Sequence, residues 1–187
     1  SVQRIIKLVT EICQSINKKT YCDYDAHHQL ARIAAEQSAV LLKNEDNILP
    51  LKKEQKIAIV GEMTKCMRYQ GSGSSHINPT TLIQPAEIIE NNARIEDADV
   101  AIIFTGLPSE YESEGFDREN MEMPWEQVKL IEETAEKNPN TVVVLFCGAP
   151  VEMPWADKVK GILYMGLPGQ AGAEAAKNLL YGVANPS

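Results

Sequence analysis

The chain has 187 residues, of which 44% are hydrophobic, and its formal net charge is -8. This length and apolar fraction are typical of one globular domain with its own core, and they exclude a disordered chain. The acidic balance, without a run of Lys or Arg, argues against nucleic acid and anionic membranes as partners. No apolar run approaches the length of a membrane span.

The N-terminal part of the chain has the pattern of two helices. Apolar residues recur at helical spacing over residues 2–16, and the polar stretch 17–20 predicts the end of this first helix. A second helix is predicted from about Asp25, which serves as its N-cap, to Lys43. Polar residues that follow Lys43 predict the end of this second helix.

The rest of the chain alternates β-rich runs with helical patterns. Four runs are apolar throughout, which is typical of strands buried on both faces of a parallel sheet: residues 56–61, 100–104, 141–146 and 161–164. Helical patterns cover residues 125–137 and 169–181. We therefore predict an α/β fold, a flavodoxin-like three-layer α/β/α sandwich with a mainly parallel sheet. The sandwich is predicted to span residues 46–187, with residues 1–45 as a helical lead-in that packs on it.

The four cysteines of the chain contain no CxxC pair. Their spacing favours reduced thiols over a disulfide framework or a metal site. Such usage is typical of a cytosolic protein, so we expect a cytoplasmic location. We expect neither a metal nor a cofactor.

Functional sites of a parallel sheet gather at the C-terminal ends of its strands. The loops predicted to lie at this edge are residues 61–79, 105–124, 148–155 and 165–169. The second of them is rich in carboxylates, so the predicted topology alone points to it as the site.

This acidic loop directly follows the second β-rich run. Carboxyl groups held close together, or away from water, keep their protons near neutral pH and can act as general acids, as in glycoside hydrolysis. Gly115 permits a sharp turn, so that Glu112 or Glu114 points into a cleft. Asp117 beside Arg118 predicts an ion pair that orients the loop. The spacing leaves open which glutamate points inward, and a solvated acidic face is the alternative.

A second polar loop follows the first β-rich run. It consists of Gly71, Ser72, Gly73, Ser74, Ser75 and His76. It matches neither the dinucleotide fingerprint nor the P-loop, and its donors also suit sugar hydroxyls or packing against another domain. We interpret His76 as a hydrogen-bonding residue of the loop rather than a base. Arg68 is interpreted either as a surface residue or as a group that binds substrate or braces the acidic loop. Trp125 and Trp155 are aromatic residues of the kind that stack on sugars, but they are interpreted as core or interface packing residues.

Together these motifs resemble glycoside hydrolase family 3 over nearly the whole chain, and most of all its β-glucosidase branch. The matching segments are residues 34–44, 49–51, 56–61, 71–75, 112–118, 123–127, 140–144, 148–151, 155, 168–172 and 185–187. Residues 34–61 resemble the entry to the second domain of the family. Residues 71–75 are similar to its Gly-Ser loop, and residues 112–118 to its acid/base loop.

The resemblance implies an α/β sandwich packed against an N-terminal (β/α)8 barrel, which carries an aspartate nucleophile and most of the sugar contacts. It implies a retaining mechanism, in which a glutamate of the sandwich protonates the leaving oxygen and then deprotonates water. That glutamate is Glu114 or Glu112, and Glu114 is preferred because it directly precedes the glycine. The resemblance makes Asp117 and Arg118 a brace of the loop, and gives Arg68 and the Gly-Ser loop a role in bracing or in substrate binding.

The expected partners are a β-linked sugar and the barrel of the same protein, and a homo-oligomer is left open. Because no nucleophile segment of the barrel is found, we expect an inactive fragment of a longer enzyme. The link from Pro79 to Asp99 is short for the family and offers one helix, at residues 82–91, so the strand count is open. Two alternatives are a stand-alone module that binds a nucleotide or a sugar, and a sandwich that only covers a barrel.

Overall fold

The computed structural model describes residues 1–16 and 21–187. Its α-helices are α1 (Val2–Ser15), α2 (Tyr24–Ser38), α3 (Pro85–Ile88), α4 (Trp125–Lys137) and α5 (Gly172–Leu180). Its strands are β1 (Val40–Asn44), β2 (Ile57–Val60), β3 (Val100–Gly106), β4 (Thr141–Phe146) and β5 (Gly161–Tyr164). The predicted end of the first helix, at residues 17–20, lies outside the described residues.

The strands form one sheet in the order β1-β5-β4-β3-β2. Strands β2, β3, β4 and β5 run parallel, and β1 pairs antiparallel with β5. All four predicted strands are present, so the mainly parallel sheet is confirmed. The C-terminal ends of the four parallel strands therefore lie along one edge.

Successive side chains of the central strands enter two separate cores, one on each face of the sheet. In β3, Ile102 and Phe104 pack in the core that includes Leu180 of α5. Ile103, between them, packs in the opposite core with Ile131 of α4. Because strand side chains alternate between faces, apolar residues on both faces give the uninterrupted apolar runs of the sequence. Helices cover both faces, which confirms the three-layer sandwich.

The prediction of a helix up to Lys43 is wrong, because α2 ends at Ser38 and the next residues form β1. Apolar residues in this segment fit a helix face and a strand equally well. Pairing with the free edge of β5 decides for the strand, and the register is irregular between Leu41 and Lys43. The predicted N-cap is also wrong, because Asp23, not Asp25, caps α2: its carboxylate accepts a hydrogen bond from the Ala26 N–H group in the first turn.

The two N-terminal helices differ in their packing. Helix α1 buries none of its residues against the described part of the chain. Helix α2 packs on α5, where His28 Nε2 lies 2.7 Å from Glu174 Oε1 and Asn178 Nδ2 donates to Glu36 Oε1 at 2.6 Å. The division into a lead-in and a sandwich near residue 45 stays a prediction.

Strand β2 is an edge strand that pairs only with β3, and the link from β2 to β3 contains the short α3 and two 3-10 turns but no strand among the described residues. The outward N–H groups of Ile57 and Ile59 donate to Asn92 Oδ1 at 2.8 Å and to Asn91 Oδ1 at 3.1 Å. The Asn92 N–H group in turn donates to the Ile57 carbonyl at 3.0 Å. Two asparagines thus occupy an edge that an unprotected apolar strand would offer to another chain.

We expect the double variant Asn91→Ala/Asn92→Ala to self-associate, because it exposes the unpaired N–H groups of Ile57 and Ile59. Size-exclusion chromatography over a concentration series would show this association, and hydrogen exchange would show faster exchange of the Ile57 and Ile59 amides. The exposed Asn185→Ala is the matched control. Unchanged exchange at both amides in the double variant would contradict this role of the two side chains.

Candidate functional site

The loops that follow β2, β3, β4 and β5 are bound to one another at the C-terminal edge of the sheet. Ser72 of the Gly-Ser loop forms a parallel β-bridge with Ser113 of the acidic loop. The Gly148 N–H group, after β4, donates to Glu112 Oε2 at 3.1 Å. Gly169, after β5, donates its N–H to the carbonyl of Tyr69 at 2.8 Å. The structure therefore brings the two polar loops of the sequence together.

Arg68 lies inside this cluster and is only 7% exposed, so the interpretation as a surface residue is wrong. Its Nη1 donates to the carbonyls of Leu107 at 2.8 Å and Pro108 at 2.6 Å. Its Nη2 donates to the Glu112 carbonyl at 2.5 Å, and Nη1 lies 3.5 Å from Glu112 Oε2. One planar guanidinium thus fixes the start of the acidic loop, a geometry that a lysine cannot reproduce.

Glu112 points inward. Its side chain is 12% exposed and lines a cleft of about 450 Å³, and its carboxylate is held by Arg68 and by the Gly148 N–H group. Burial raises the pKa of the neighbouring Cys147 thiol to about 12, and the Glu112 carboxylate adds to this effect. The Gly148 N–H group was not among the predicted site groups. Its position directly after a predicted buried strand is the signal that could have found it.

Glu114 points outward and is exposed. Its Oε2 accepts a hydrogen bond from the Ser74 N–H group at 2.8 Å and a second one from the Ser74 hydroxyl. Gly73 has φ +96, and a Cβ at this residue would lie 2.6 Å from Glu114 Cβ, so only glycine admits this contact. The hydrogen bonds from Ser74, the hydroxyl first, hold the pKa of Glu114 below its ordinary value. This is opposite to the raised carboxyl pKa that the sequence predicted for the acidic loop.

The remaining residues of the acidic loop act as a brace in a different way from the predicted one. Gly115 has φ +83 and makes the expected turn. Arg118 donates to the carbonyls of Pro150 at 3.0 Å and Glu122 at 3.2 Å. Asp117 forms no ion pair within residues 1–16 and 21–187, so the predicted pair with Arg118 is wrong.

The Gly-Ser loop is closed by its own hydrogen bonds. His76 Nδ1 lies 3.1 Å from Gln70 Nε2, and the His76 N–H group donates to the Gly73 carbonyl at 3.1 Å. This confirms His76 as a hydrogen-bonding residue of the loop. Gly71, Ser72 and His76 line a second cleft of about 340 Å³ beside Arg68, and the exposed Ser75 follows Ser74 on the outer side.

The two tryptophans have different surroundings. Trp155 is fully buried in the core under α4, which confirms its interpretation as a packing residue. Trp125 is 66% exposed, and Lys129 Nζ lies 5.7 Å from its ring centroid, so it is not a core residue, and its role in interface packing stays a prediction. Within the described ranges, no cluster of three His, Cys, Asp or Glu residues has the geometry to hold a metal ion. No described helix combines the length and the apolar character needed to cross a bilayer.

Residues 39–187 match the family model described as the glycosyl hydrolase family 3 C-terminal domain. The chain is 46% identical to the thermostable beta-glucosidase B of Acetivibrio thermocellus over 216 aligned positions, which cover 100% of the chain and 29% of that relative. It is 39% identical to an exo-alpha-(1->6)-L-arabinopyranosidase of Bifidobacterium longum, covering 99% of the chain and 29% of the relative.

The crystal structure of a family 3 beta-glucosidase from Bifidobacterium adolescentis superposes with a TM-score of 0.87 at 38% identity, covering 97% of the chain and 31% of that structure. The chain therefore spans about a third or less of the length of these proteins. The fold, the two joined loops and these similarities agree with one another. The chain belongs to glycoside hydrolase family 3, and it corresponds to the C-terminal domain of that family.

Proposed function

We propose that this chain supplies the general acid/base glutamate of a retaining β-glycosidase, and that this residue is Glu114. One observation carries the choice between the two glutamates. The Glu112 side chain is only 12% exposed and its Oε2 is held by the buried Arg68 and by the Gly148 N–H group, whereas Glu114 is exposed and forms no ion pair within the described residues. A carboxylic acid that protonates a glycosidic oxygen needs a carboxyl oxygen of its own that can face the sugar.

In this role Glu114 donates its proton to the leaving glycosidic oxygen and later accepts a proton from the attacking water. The first step needs the protonated carboxyl, but the hydrogen bonds from Ser74 lower the pKa of Glu114. A second carboxylate close to Glu114 raises its pKa, because two like charges destabilise each other. We propose that the nucleophilic aspartate of a partner domain provides this charge.

We propose that the partner is the N-terminal (β/α)8 barrel of the same protein, with a β-linked sugar bound between the two domains. Two exposed features support a missing partner, namely the Glu114 carboxylate and the apolar face of α1. This face consists of Val2, Ile5, Ile6, Val9 and Ile12, each at least 48% exposed. A contiguous apolar face of this kind marks a contact surface. The relatives named above act on glycosides according to their names, which supports a sugar substrate.

We also propose a cytoplasmic location. All four cysteines lie in the described residues and are free, as expected in a reducing compartment.

We expect the isolated chain to release no nitrophenol from an aryl β-glucoside, because the proposed nucleophile is absent from it. The complete protein is expected to turn over the same substrate, as followed by absorbance. The complete protein with Asn185→Ala serves as the control for loss of activity during purification, and it is expected to stay active. Turnover by the purified chain, at a rate above the uncatalysed reaction, would contradict the proposal that catalysis needs a barrel.

A further inference from the structure

The Gly-Ser loop is joined to the proposed acid/base residue by contacts that a general brace does not need. Its Ser72 bridges to the residue before Glu114 through the backbone, and Gly73 adopts a φ of +96 against the Glu114 side chain. Ser74 then directs both of its donors to the same atom, Glu114 Oε2. Two donors on one carboxylate oxygen fix the plane and the direction of the carboxyl group.

We propose that Ser74 is a positioning residue that anchors Glu114 through Oε2 and reserves Oε1 as the oxygen that carries the transferred proton. This inference rests on the proposed acid/base role of Glu114. Oε1 accepts no hydrogen bond and forms no ion pair in the part of the chain that the structure describes. When Oε1 is protonated, Oε2 still accepts from both donors of Ser74, so the anchor persists through the catalytic cycle.

The anchor also sets the proton affinity of Glu114. Donors that bind a carboxylate stabilise its ionised form, so the Ser74 hydroxyl lowers the pKa and its removal raises the pKa. The titratable and charged residues of the acidic loop besides Glu114 include Glu110, Glu112, Asp117, Arg118 and Glu119, and those of the Gly-Ser loop and the segment before it include Arg68 and His76. Arg68 is paired with Glu112, and none of these residues forms an ion pair with Glu114 among the described residues. Ser74 is therefore the main local control of this carboxyl group.

The test compares Ser74→Ala with Ser113→Ala in the complete protein. Both variants remove one hydroxyl beside Glu114, but the Ser113 hydroxyl makes no hydrogen bond within the described ranges. We expect Ser74→Ala to lower kcat by about 10-fold, a fraction of what the loss of a general acid costs. The alkaline limb of its kcat/KM profile is expected to move to higher pH, because the proton donor must be protonated and its pKa has risen.

Ser74→Thr keeps a hydroxyl donor, so it is expected to restore the original profile. In the isolated chain, carbon-13 NMR titration of the Glu114 carboxyl should show the same upward shift in Ser74→Ala, independently of activity. An unchanged titration and an unchanged alkaline limb in Ser74→Ala would overturn the role of Ser74, while a strong loss of activity in Glu114→Gln would leave the proposed function standing. Full activity in Glu114→Gln would overturn both.

Discussion

Replacing Glu114 with Gln in the complete protein is expected to lower kcat/KM for a β-glycoside with a poor leaving group by about 10²–10⁴-fold, the usual contribution of general acid–base catalysis. Gln has nearly the same shape but cannot donate a proton to the departing oxygen. Nitrophenolate is a good leaving group that departs without strong acid assistance. For a nitrophenyl glycoside we therefore expect a smaller loss of rate in the first step. Steady-state kinetics with both substrates would measure this difference.

Azide gives a second, sharper measurement. In Glu114→Ala, azide can attack the glycosyl-enzyme without a general base, so it is expected to restore turnover and to yield a β-glycosyl azide. Glu119→Gln, an exposed change in the same loop, is the control and is expected to keep its activity within about 2-fold, since surface substitutions away from such features usually have small effects. If azide instead rescues Glu112→Ala and leaves Glu114→Ala unchanged, the assignment of the two glutamates is reversed. If Glu112→Gln and Glu114→Gln both keep full turnover, the sandwich only covers the barrel.

Replacing Arg68 with Ala is expected to lower the free energy of unfolding of this chain by about 3–5 kcal/mol, the usual cost of removing one partner of a buried ion pair. The change leaves the Glu112 carboxylate uncompensated at 12% exposure. It also leaves the carbonyls of Leu107 and Pro108 without their donor. Unpaired buried acceptors retain the cost of desolvation, so the losses reinforce each other. Urea unfolding followed by circular dichroism would measure the change.

Arg94→Ala is the matched control, because the Arg94 side chain is 81% exposed and its Nε lies 3.8 Å from Glu96 Oε2. Its free energy of unfolding is expected to fall by about 0–1 kcal/mol, as for surface ion pairs in general. The free energy of unfolding of Arg68→Lys is expected to be closer to that of Arg68→Ala than to that of the unmodified chain, since an ammonium group cannot donate to three carbonyls in one plane. If Arg68→Ala loses no more free energy of unfolding than Arg94→Ala, the role of Arg68 in bracing the acidic loop is contradicted.

The fold could be predicted to the extent that it depends on local patterns. Strands buried on both faces give uninterrupted apolar runs, and these marked β2 to β5 at nearly their observed bounds. Strand β1 could not be found in this way, because residues 40–44 are a strand only through their pairing with β5, more than a hundred residues later in the chain. The same limit applies to the β2 edge, which depends on two asparagines beyond α3.

The site was predictable as a region but not as a geometry. The acidic loop and the Gly-Ser loop could be placed at one edge of the sheet from the order of strands alone. Which glutamate turns inward depends on Arg68, which precedes Glu112 by 44 residues, and on Ser74, which precedes Glu114 by 40 residues. The lowered pKa of Glu114 follows from the same long-range contact, so the repulsion between neighbouring carboxylates was a poor guide to it.

The asparagine-covered edge of the sheet has a use in protein engineering. Asn91 and Asn92 contact the backbone of β2 through their side-chain amides and through the Asn92 N–H group, and neither residue belongs to a strand. A designed sixth strand inserted after α3 would find the N–H groups of Ile57 and Ile59 already aligned to receive it. Because the graft site lies along the flank of β2 and the acidic and Gly-Ser loops lie at the strand ends, we expect added binding modules or reporter peptides to leave the Glu114 carboxyl undisturbed.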